Sequence, residues 1–378
     1  MISTMSANPE PSRRSIVAGA RRFYARIERP FSSISLIGGF VFDAVALTRV
    51  DAFWENFWVV VHLVIVTACA IALNFVENKG GNEENPEKLH FWLVNIMQFF
   101  FGGIFSTYLV FYFRSGTIGT SWPFLAILAA AFIANERLKK HYARLAFQIS
   151  LLFLSYYAFA IYLMPILLHD ISDTTFVLSG GAALAAIGVV ALILRFGTRE
   201  RFERRTKVGA WLGVLGIFAA LNLLYFANLI PPLPLSLKDA GIYDSLAVNS
   251  PGHYTVTSQD QGPLGFFRWG DTLLLNTHGQ ALYAYTAVFS PTAFNTTIVH
   301  EWQFYDPAQK GWVTRARVKL PVTGGSDGGW RTFSAVSNIT PGPWRVNVLT
   351  TNGLLVGRLQ FMAVATNTPP QIVTREIN

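Results

Sequence analysis

Apolar runs of membrane-spanning length alternate with short polar loops from the N-terminus to residue 231. A helix needs about 20 apolar residues to cross the hydrocarbon core of a bilayer. The pattern therefore predicts a transmembrane bundle over residues 32–231. Its seven predicted spans are Ser33–Leu47, Phe53–Val76, His90–Phe113, Ile118–Ala134, Leu145–Leu168, Thr174–Leu194 and Val208–Ile230.

The hydrophobic pattern changes at Pro231-Pro232, which end the last predicted span. An extended linker over residues 232–253 then precedes short alternating runs, which predict an antiparallel β-sandwich over residues 254–365. Residues 366–378 are predicted to form a flexible tail. The eight predicted strands are Tyr254–Ser258, Thr272–Leu275, Ala281–Phe289, Thr296–Tyr305, Trp312–Leu320, Trp330–Val336, Trp344–Thr350 and Leu354–Val364.

Two local patterns support this sandwich. Trp344, Val346 and Val348 recur with a period of two, so that they share one face of their strand. The dipeptide Asn352-Gly353 is typical of a type I′ hairpin turn. The sequence therefore predicts one apolar face on this strand and a tight hairpin after it.

Basic residues define the predicted topology. Six arginines precede the first span, and two further clusters follow the fourth and sixth spans, namely Arg137, Lys139, Lys140 and Arg144, then Arg195, Arg199, Arg201, Arg204, Arg205 and Lys207. Cytoplasmic loops carry an excess of Lys and Arg, and seven spans place every basic segment on that side. We therefore expect a cytoplasmic N-terminus and an extracytoplasmic β domain. Residues 1–31 form either an amphipathic helix on an anionic membrane surface or a disordered basic tail.

Composition narrows the chemistry. Only 14% of residues are charged, against about 25% in average soluble domains. The net charge of +8 does not indicate nucleic-acid binding, because the basic residues follow the pattern of membrane topology. The single cysteine, Cys69, allows neither an internal disulfide nor a cysteine-based metal site. No metalloprotease, nucleophile or phosphate-loop motif is present, so we expect no catalytic residue, metal or cofactor.

Three polar residues in or beside the predicted spans are candidates for an intramembrane function: Asp43, Arg49 and His62. An ionisable group inside a span is costly and usually faces the bundle interior or water. Asp43 would carry protons or bind a cation, or else form a structural pair with Arg49 or a cap. His62 belongs with scattered polar residues that we expect to form interhelical hydrogen bonds, namely Asn74, Asn95, Gln98, Gln148 and Asn222.

In the β domain, Trp330, Arg331 and Asp327 are candidate ligand-binding residues, together with His300 and Trp302. A tryptophan ring can stack on the apolar face of a sugar, while Arg and Asp supply hydrogen bonds. In the structural alternative, the tryptophans fill the sandwich core and the loop GGSDGG is a hairpin.

Three blocks of sequence resemble a known family. Val299–Tyr305 (VHEWQFY) has the pattern H-x-W-x-[YF], Gly324–Ser334 (GGSDGGWRTFS) has W-R-[TG]-[WFY]-S, and Pro341–Val348 (PGPWRVNV) has G-x-W-x-V-x-V. In this order they resemble the bacterial family called domain of unknown function 2914, over roughly residues 280–365. The resemblance implies an envelope protein with an immunoglobulin-like outer module and no established activity. Glu301 departs from the Arg of many members, which puts in question any contact needing a positive charge there.

The sequence thus predicts an α-helical transmembrane bundle followed by an all-β immunoglobulin-like sandwich, in a non-enzymatic protein of the bacterial inner membrane. We expect the sandwich to bind a cell-envelope glycan or a protein. The alternatives are an accessory subunit of a larger membrane complex and a transporter with a polar path to Asp43. The expected partners are the lipid bilayer and an envelope glycan or membrane protein, with no nucleic acid.

Overall fold

The computed structural model divides the chain into two compact units, Met1–Thr48 and Arg49–Asn378. Within the first unit, a helix, α1, spans 38–46. The predicted basic segment 1–31 lies outside the described residues. The structure describes residues 38–47, 49, 51–78, 86–115, 118–137, 141–142, 144–197, 204–250, 252–259, 271–275, 281–292, 294–366 and 370–377.

The second unit begins with six helices. They are α2 (Phe53–Asn78), α3 (Pro86–Ser115), α4 (Ile118–Arg137), α5 (Leu145–Leu168), α6 (Asp173–Gly197) and α7 (Arg204–Phe226). Of the seven helices in the described ranges, α2, α3, α5, α6 and α7 are long and apolar enough to cross a membrane. The apolar part of α4 is shorter, Ser121–Asn135, and α1 is shorter still. Length and composition thus support five of the seven predicted spans.

Polar side chains and glycines hold the bundle together. Asn74 Nδ2 of α2 donates to Gln148 Oε1 of α5 at 2.6 Å, so the predicted interhelical hydrogen bonding is confirmed for this pair. A Cβ added to Gly213 of α7 would lie 2.1 Å from Ser150 Oγ of α5. The glycine is therefore what permits these two helices to approach so closely.

Helix ends show how the bundle meets the strands. Ser115 Oγ, at the end of α3, donates to Leu235 O beyond α7 at 2.7 Å. Asn352 Nδ2 donates to Ile171 O, between α5 and α6, at 2.9 Å. Arg49, just before α2, also reaches the strand region, as described below. The start of α2, the end of α3 and the α5–α6 loop therefore lie at the end of the bundle that carries the β-structure.

Eleven strands follow in the described ranges. They are β1 (Ser236–Tyr243), β2 (Ser245–Ser250), β3 (His253–Gln259), β4 (Asp271–Leu275), β5 (Leu282–Phe289), β6 (Thr296–Asp306), β7 (Gly311–Val322), β8 (Trp330–Val336), β9 (Gly342–Thr350), β10 (Leu355–Ala365) and β11 (Ile372–Ile377). The eight predicted strands correspond to β3–β10 and are confirmed with shifts of a few residues at their ends.

The predicted linker and tail require correction, because both contain strands. β1 and β2 fall within 232–253, and β11 falls within 366–378. β1 pairs antiparallel with β5, while β2 and β11 flank β3. The polar pair Lys238-Asp239 interrupts the apolar alternation of β1 next to a shift in its register. These segments become strands because partners distant in sequence satisfy their backbone groups.

The strands form three sheets, β11-β3-β2, β1-β5-β8 and β4-β10-β9-β6-β7. Pairing is antiparallel except between β4 and β10. Side chains of β1-β5-β8 alternate between two cores. Ile242 and Ala284 pack with Trp302 of the five-stranded sheet, whereas Tyr243 and Tyr285 pack against the β2–β3–β11 sheet. The sheet β1-β5-β8 is therefore covered on both faces, which explains the nearly continuous apolar sequence of β5.

The turn at Asn352-Gly353 joins β9 to β10 as predicted, but its predicted type is wrong. A type I′ turn requires a positive φ at both central residues. Of this pair, Gly353 has φ 85°, while Asn352 is not among the described residues with positive φ. Thr350 O accepts from Gly353 N at 3.0 Å, and Thr350 N donates to Leu354 O at 2.9 Å. This is the three-residue hairpin loop with a glycine bulge.

Candidate functional site

His300 and Trp302, two of the predicted ligand-binding residues, lie inside the β-structure with no exposed surface. His300 Nε2 is 2.9 Å from Thr286 Oγ1, and its Nδ1 is 2.9 Å from Ser334 Oγ. Trp302 Nε1 donates to the same Ser334 Oγ at 2.9 Å. Burial lowers the pKa of His300 to about 4. The H-x-W and W-R-x-x-S blocks thus meet in one buried hydrogen-bond cluster between two sheets.

Asp327, the acidic residue of the Gly-rich loop, contacts the segment before α2. Arg49 Nη1 lies 2.6 Å from Asp327 Oδ1, and Arg49 Nη2 lies 2.8 Å from Asp51 Oδ2. Thr292 N donates to Asp51 at 3.2 Å. Burial opposes ionisation of Asp51, but the hydrogen bonds from Arg49 and Thr292 outweigh it and lower its pKa. The loop is therefore part of the junction between the helices and the strands.

Trp330 and Arg331, the other predicted pair, are neighbours on β8 and point to opposite faces of its sheet. Trp330 is 41% exposed. Arg331 lies on the face covered by β2-β3-β11, where its carbonyl oxygen accepts from Tyr254 Oη at 3.3 Å. The structure therefore does not bring the five predicted residues of the β domain together in one site.

The predicted intramembrane residues are likewise separate. Asp43 is half-buried in α1 of the first unit, where its carbonyl oxygen accepts from Leu47 N at 2.9 Å. Arg49 belongs to the junction. His62 Nδ1 is 2.7 Å from Trp58 O in its own helix, and its ring packs edge-on against Phe100 of α3 with centroids 4.9 Å apart.

A polar network occupies the outer face of the five-stranded sheet, opposite the core. Glu301 is at its centre, with a side chain only 7% exposed. Its Oε1 accepts from Arg317 Nε at 2.8 Å, Arg317 Nη2 at 2.5 Å and Thr314 Oγ1 at 3.2 Å. Its Oε2 accepts from Gln303 Nε2 at 3.0 Å and Asn347 Nδ2 at 3.1 Å. Burial opposes ionisation, but the bonds from Arg317 and Asn347 prevail and lower the pKa of Glu301.

Two more arginines extend this network. Arg345 Nε donates to Gln303 Oε1 at 2.6 Å, and its guanidinium lies 4.3 Å from the centroid of the Trp312 ring. Arg358 Nε donates to Asn347 Oδ1 at 2.7 Å. Burial lowers the pKa of both arginines, and for Arg345 the repulsion of Arg358 adds to the effect. Both guanidinium groups are thus held in fixed positions by their Nε atoms.

Strand register arranges these residues in rows across the sheet. One row is Arg317, Glu301, Asn347 and Arg358, and the next is Thr314, Gln303, Arg345 and Gln360. A third row contains Trp312 and Tyr305, whose ring centroids are 5.5 Å apart. Lys319 lies on the same side, opposite Val299. We name this surface the cationic face: it carries Arg317, Lys319, Arg345 and Arg358 and one carboxylate, Glu301.

The cationic face was not among the sequence-predicted sites. The alternation of residues within β6 places Glu301 and Gln303 on one face of that strand, and the alternation within β9 does the same for Arg345 and Asn347. However, only the register of β7 and β10 brings Arg317 and Arg358 to the same surface. Chemically, the face offers hydrogen-bond donors for anions beside aromatic rings. Among the described residues, no group of three or more His, Cys, Asp or Glu could hold a metal ion.

Long apolar helices joined to a β-rich region define a membrane-type protein with a C-terminal β unit. Residues 295–362 of that unit match the family described as "Protein of unknown function (DUF2914)", which confirms the resemblance expected from the sequence. The match includes all of β6–β9 and most of β10. It therefore contains His300, Trp302 and Ser334 of the buried cluster, but not Thr286, and all the residues that define the cationic face.

The chain also resembles solved structures at low identity. One is a Listeria innocua β-glucosidase in complex with isofagomine, with 13% identity and a TM-score of 0.19, covering 31% of this chain and 16% of that one. Another is the Pseudomonas fluorescens alkylpurine DNA glycosylase AlkC bound to DNA containing an abasic site analog, with 8% identity and a TM-score of 0.22, covering 82% and 99%. No curated protein matches the sequence. Similarities this weak carry no argument about fold or function.

Proposed function

We propose that this chain is a non-enzymatic, seven-span protein of the bacterial inner membrane that displays an immunoglobulin-like β unit on its extracytoplasmic side to bind an envelope glycan. The observation that carries the binding proposal is the cationic face, where guanidinium groups and aromatic rings lie in adjacent rows. A surface that combines fixed charged donors with aromatic rings suits recognition of a polar ligand.

The orientation is supported by where the basic residues lie. α4 runs back along α3, because Tyr112 packs on Phe124 at one end while Asn135 bonds Gln98 O at the other. The C-terminal end of α4 therefore lies away from the strands. The same holds for α6, which begins at the α5–α6 loop beside the strands. These two C-terminal ends carry Arg137 and Arg195. The positive-inside rule therefore supports a cytoplasmic position for that end of the bundle and an extracytoplasmic position for the β unit.

The same geometry supports the proposed span count. α2 starts at the end of the bundle that carries the strands, since Arg49 bonds Asp327 there. The proposed count of seven includes the predicted span Ser33–Leu47, because a cytoplasmic N-terminus requires one crossing before Arg49. α4, with 20 residues at about 1.5 Å each, is about 30 Å long and completes seven crossings.

Co-sedimentation with purified cell-wall sacculi tests the binding proposal. The full chain in detergent is needed, because β1, β2 and the helix junction belong to the folded unit. We expect saturable binding that is weakened by Trp312→Ala. Trp330→Ala serves as the matched control, since this tryptophan lies outside the cationic face. Loss of binding in Trp330→Ala alone would move the site to the loop predicted from the sequence.

Absence of saturable binding by folded protein would contradict glycan recognition. A protein partner would then be favoured, with the chain acting as an accessory subunit of a membrane complex. Crosslinking in the native membrane, followed by identification of the crosslinked chains, would detect such a partner directly.

A further inference from the structure

We infer that the cationic face is a binding site for an acidic glycan, with Arg345 and Arg358 holding its carboxylate or phosphate groups. This inference rests on the proposed function and assigns a ligand chemistry to it. The two arginines lie on adjacent strands, β9 and β10, and on the same face of the sheet. In the register Arg345 faces Gln360 and Arg358 faces Asn347, so the two arginines are diagonal neighbours, a relation in which residues lie about 7–8 Å apart.

The manner in which these arginines are held leaves their binding groups available. Each uses Nε to bond a side-chain amide oxygen, Gln303 for Arg345 and Asn347 for Arg358. In the part of the chain that the structure describes, no hydrogen bond involves their terminal Nη groups. Those groups form the planar fork that binds carboxylate and phosphate in a bidentate manner. Both forks are therefore positioned in advance for an anionic ligand.

Charge on the face is complementary to such a ligand. Glu301 accepts hydrogen bonds from both Nε and Nη2 of Arg317, so the charges of the carboxylate and this guanidinium largely compensate each other. Arg345, Arg358 and Lys319 have no carboxylate within salt-bridge distance among the described residues. The like charges on the half-buried Arg345 and Arg358 repel each other, and an anion placed between them would relieve that repulsion.

The neighbouring aromatic row favours a glycan over a simple anion. Trp312 and Tyr305 lie one row beyond Arg345 and pack edge to face. Both rings are half-buried, and Met362 extends the apolar row with 42% of its surface exposed. A sugar ring that carries an acidic group can contact this row with its apolar face while the acid reaches the guanidinium forks.

The test uses the full chain in nanodiscs of zwitterionic phosphatidylcholine, which carries no net charge. Biolayer interferometry measures binding to immobilised polygalacturonate, a carboxylated glycan, and to dextran, a neutral one. We expect saturable binding to polygalacturonate alone, weakened as salt rises because exposed charges are screened. R345Q/R358Q should bind at least about tenfold more weakly, since two charge-assisted contacts are lost.

Arg315→Gln is the matched control. Arg315 is an exposed arginine of β7 whose guanidinium lies 5.5 Å from the Phe304 ring centroid, away from the outer face. The Arg315→Gln variant should bind polygalacturonate as tightly as the wild type. Tryptophan fluorescence during thermal unfolding verifies that each variant is folded, because Trp302 and Trp344 report on the core.

Three results would overturn the inference: no binding to polygalacturonate, equal binding to dextran, or equal weakening by Arg315→Gln. Binding to phosphatidylglycerol vesicles without binding to polygalacturonate would assign the face to lipid headgroups instead. Sacculus binding that persists unchanged in R345Q/R358Q would refute this site and leave the proposed function standing. If the wild-type protein bound neither sacculi nor polygalacturonate, both proposals would be refuted.

Discussion

Mild acid should destabilise the β unit through His300, a buried imidazole that the fold keeps neutral. The folded-state pKa is about 4, against 6.5 for an unperturbed histidine. Above pH 6.5 neither state binds the proton. Below it the unfolded chain becomes protonated while the folded one does not, so stability falls until about pH 4 and then levels off. Each pH unit in this window costs about 1.4 kcal/mol, giving a loss of about 3 kcal/mol by pH 4.

The assay is thermal unfolding of the full chain in detergent from pH 7.5 to 4, followed by tryptophan fluorescence, to which the buried Trp302 and Trp344 of the β unit contribute. A loss of about 3 kcal/mol corresponds to a fall in Tm of roughly 6–12 °C for a domain of this size. His300→Gln removes the titrating group and keeps an amide that can bond Thr286 or Ser334. We expect this variant to be less stable at pH 7.5 and to lose much less between pH 6.5 and 4.

His253→Gln is the matched control, because His253 is exposed on β3. It should retain the full wild-type dependence on pH. Carboxylates such as Glu301, whose pKa is lowered by folding, lose their contribution only as pH falls below about 4.5, so they do not produce the upper part of the window. Equal Tm slopes for the wild type and His300→Gln between pH 6.5 and 4.5 would refute the reasoning.

Two further predictions concern the junction between helices and strands. Arg49→Gln should cost about 2 kcal/mol, because the buried carboxylate of Asp51 loses its charged partner and keeps only the hydrogen bond from Thr292 N. Asp327→Asn should cost under about 1 kcal/mol, because that carboxylate is 74% exposed. Tm measurements that reverse this order would contradict the account. Gly324→Ala should lower Tm by several degrees, because the added Cβ would lie 1.8 Å from a backbone oxygen. Gly328→Ala should be tolerated, since its Cβ would meet only the end of a flexible arginine side chain at 3.4 Å. A Gly324→Ala protein as stable as Gly328→Ala would show that the loop does not depend on this close approach.

Local patterns predicted most of the secondary structure, because run length and alternation are set by residues that are neighbours in the sequence. Eight strands and the long apolar helices were recognisable from alternation and run length. β1 was missed, since Lys238 and Asp239 interrupt its pattern. In the fold, Lys238 Nζ lies 5.1 Å from the Phe289 ring centroid on the paired strand, a contact that no local rule predicts. Segments that are extended only because of distant partners are not recognisable from sequence.

The candidate site was harder to predict for the same reason. His300, Trp302 and Trp330 stood out by residue type, yet two of them are buried structural residues. Polar residues attract attention in a sequence whether they face solvent or a hydrogen-bonded interior. Their burial became known only when the packing of two sheets around them was known.

The sequence by itself determined that apolar helices precede a β-rich unit, because run length and period are properties of adjacent residues. It also determined the DUF2914 resemblance, since each of the three blocks is an uninterrupted run of residues. Only the tertiary structure decided that Arg49 meets Asp327, 278 positions away, and that Glu301 gathers Arg317 and Asn347 around it. These contacts depend on the register and stacking of strands, which are set by the burial of both faces of the middle sheet and not by any local pattern.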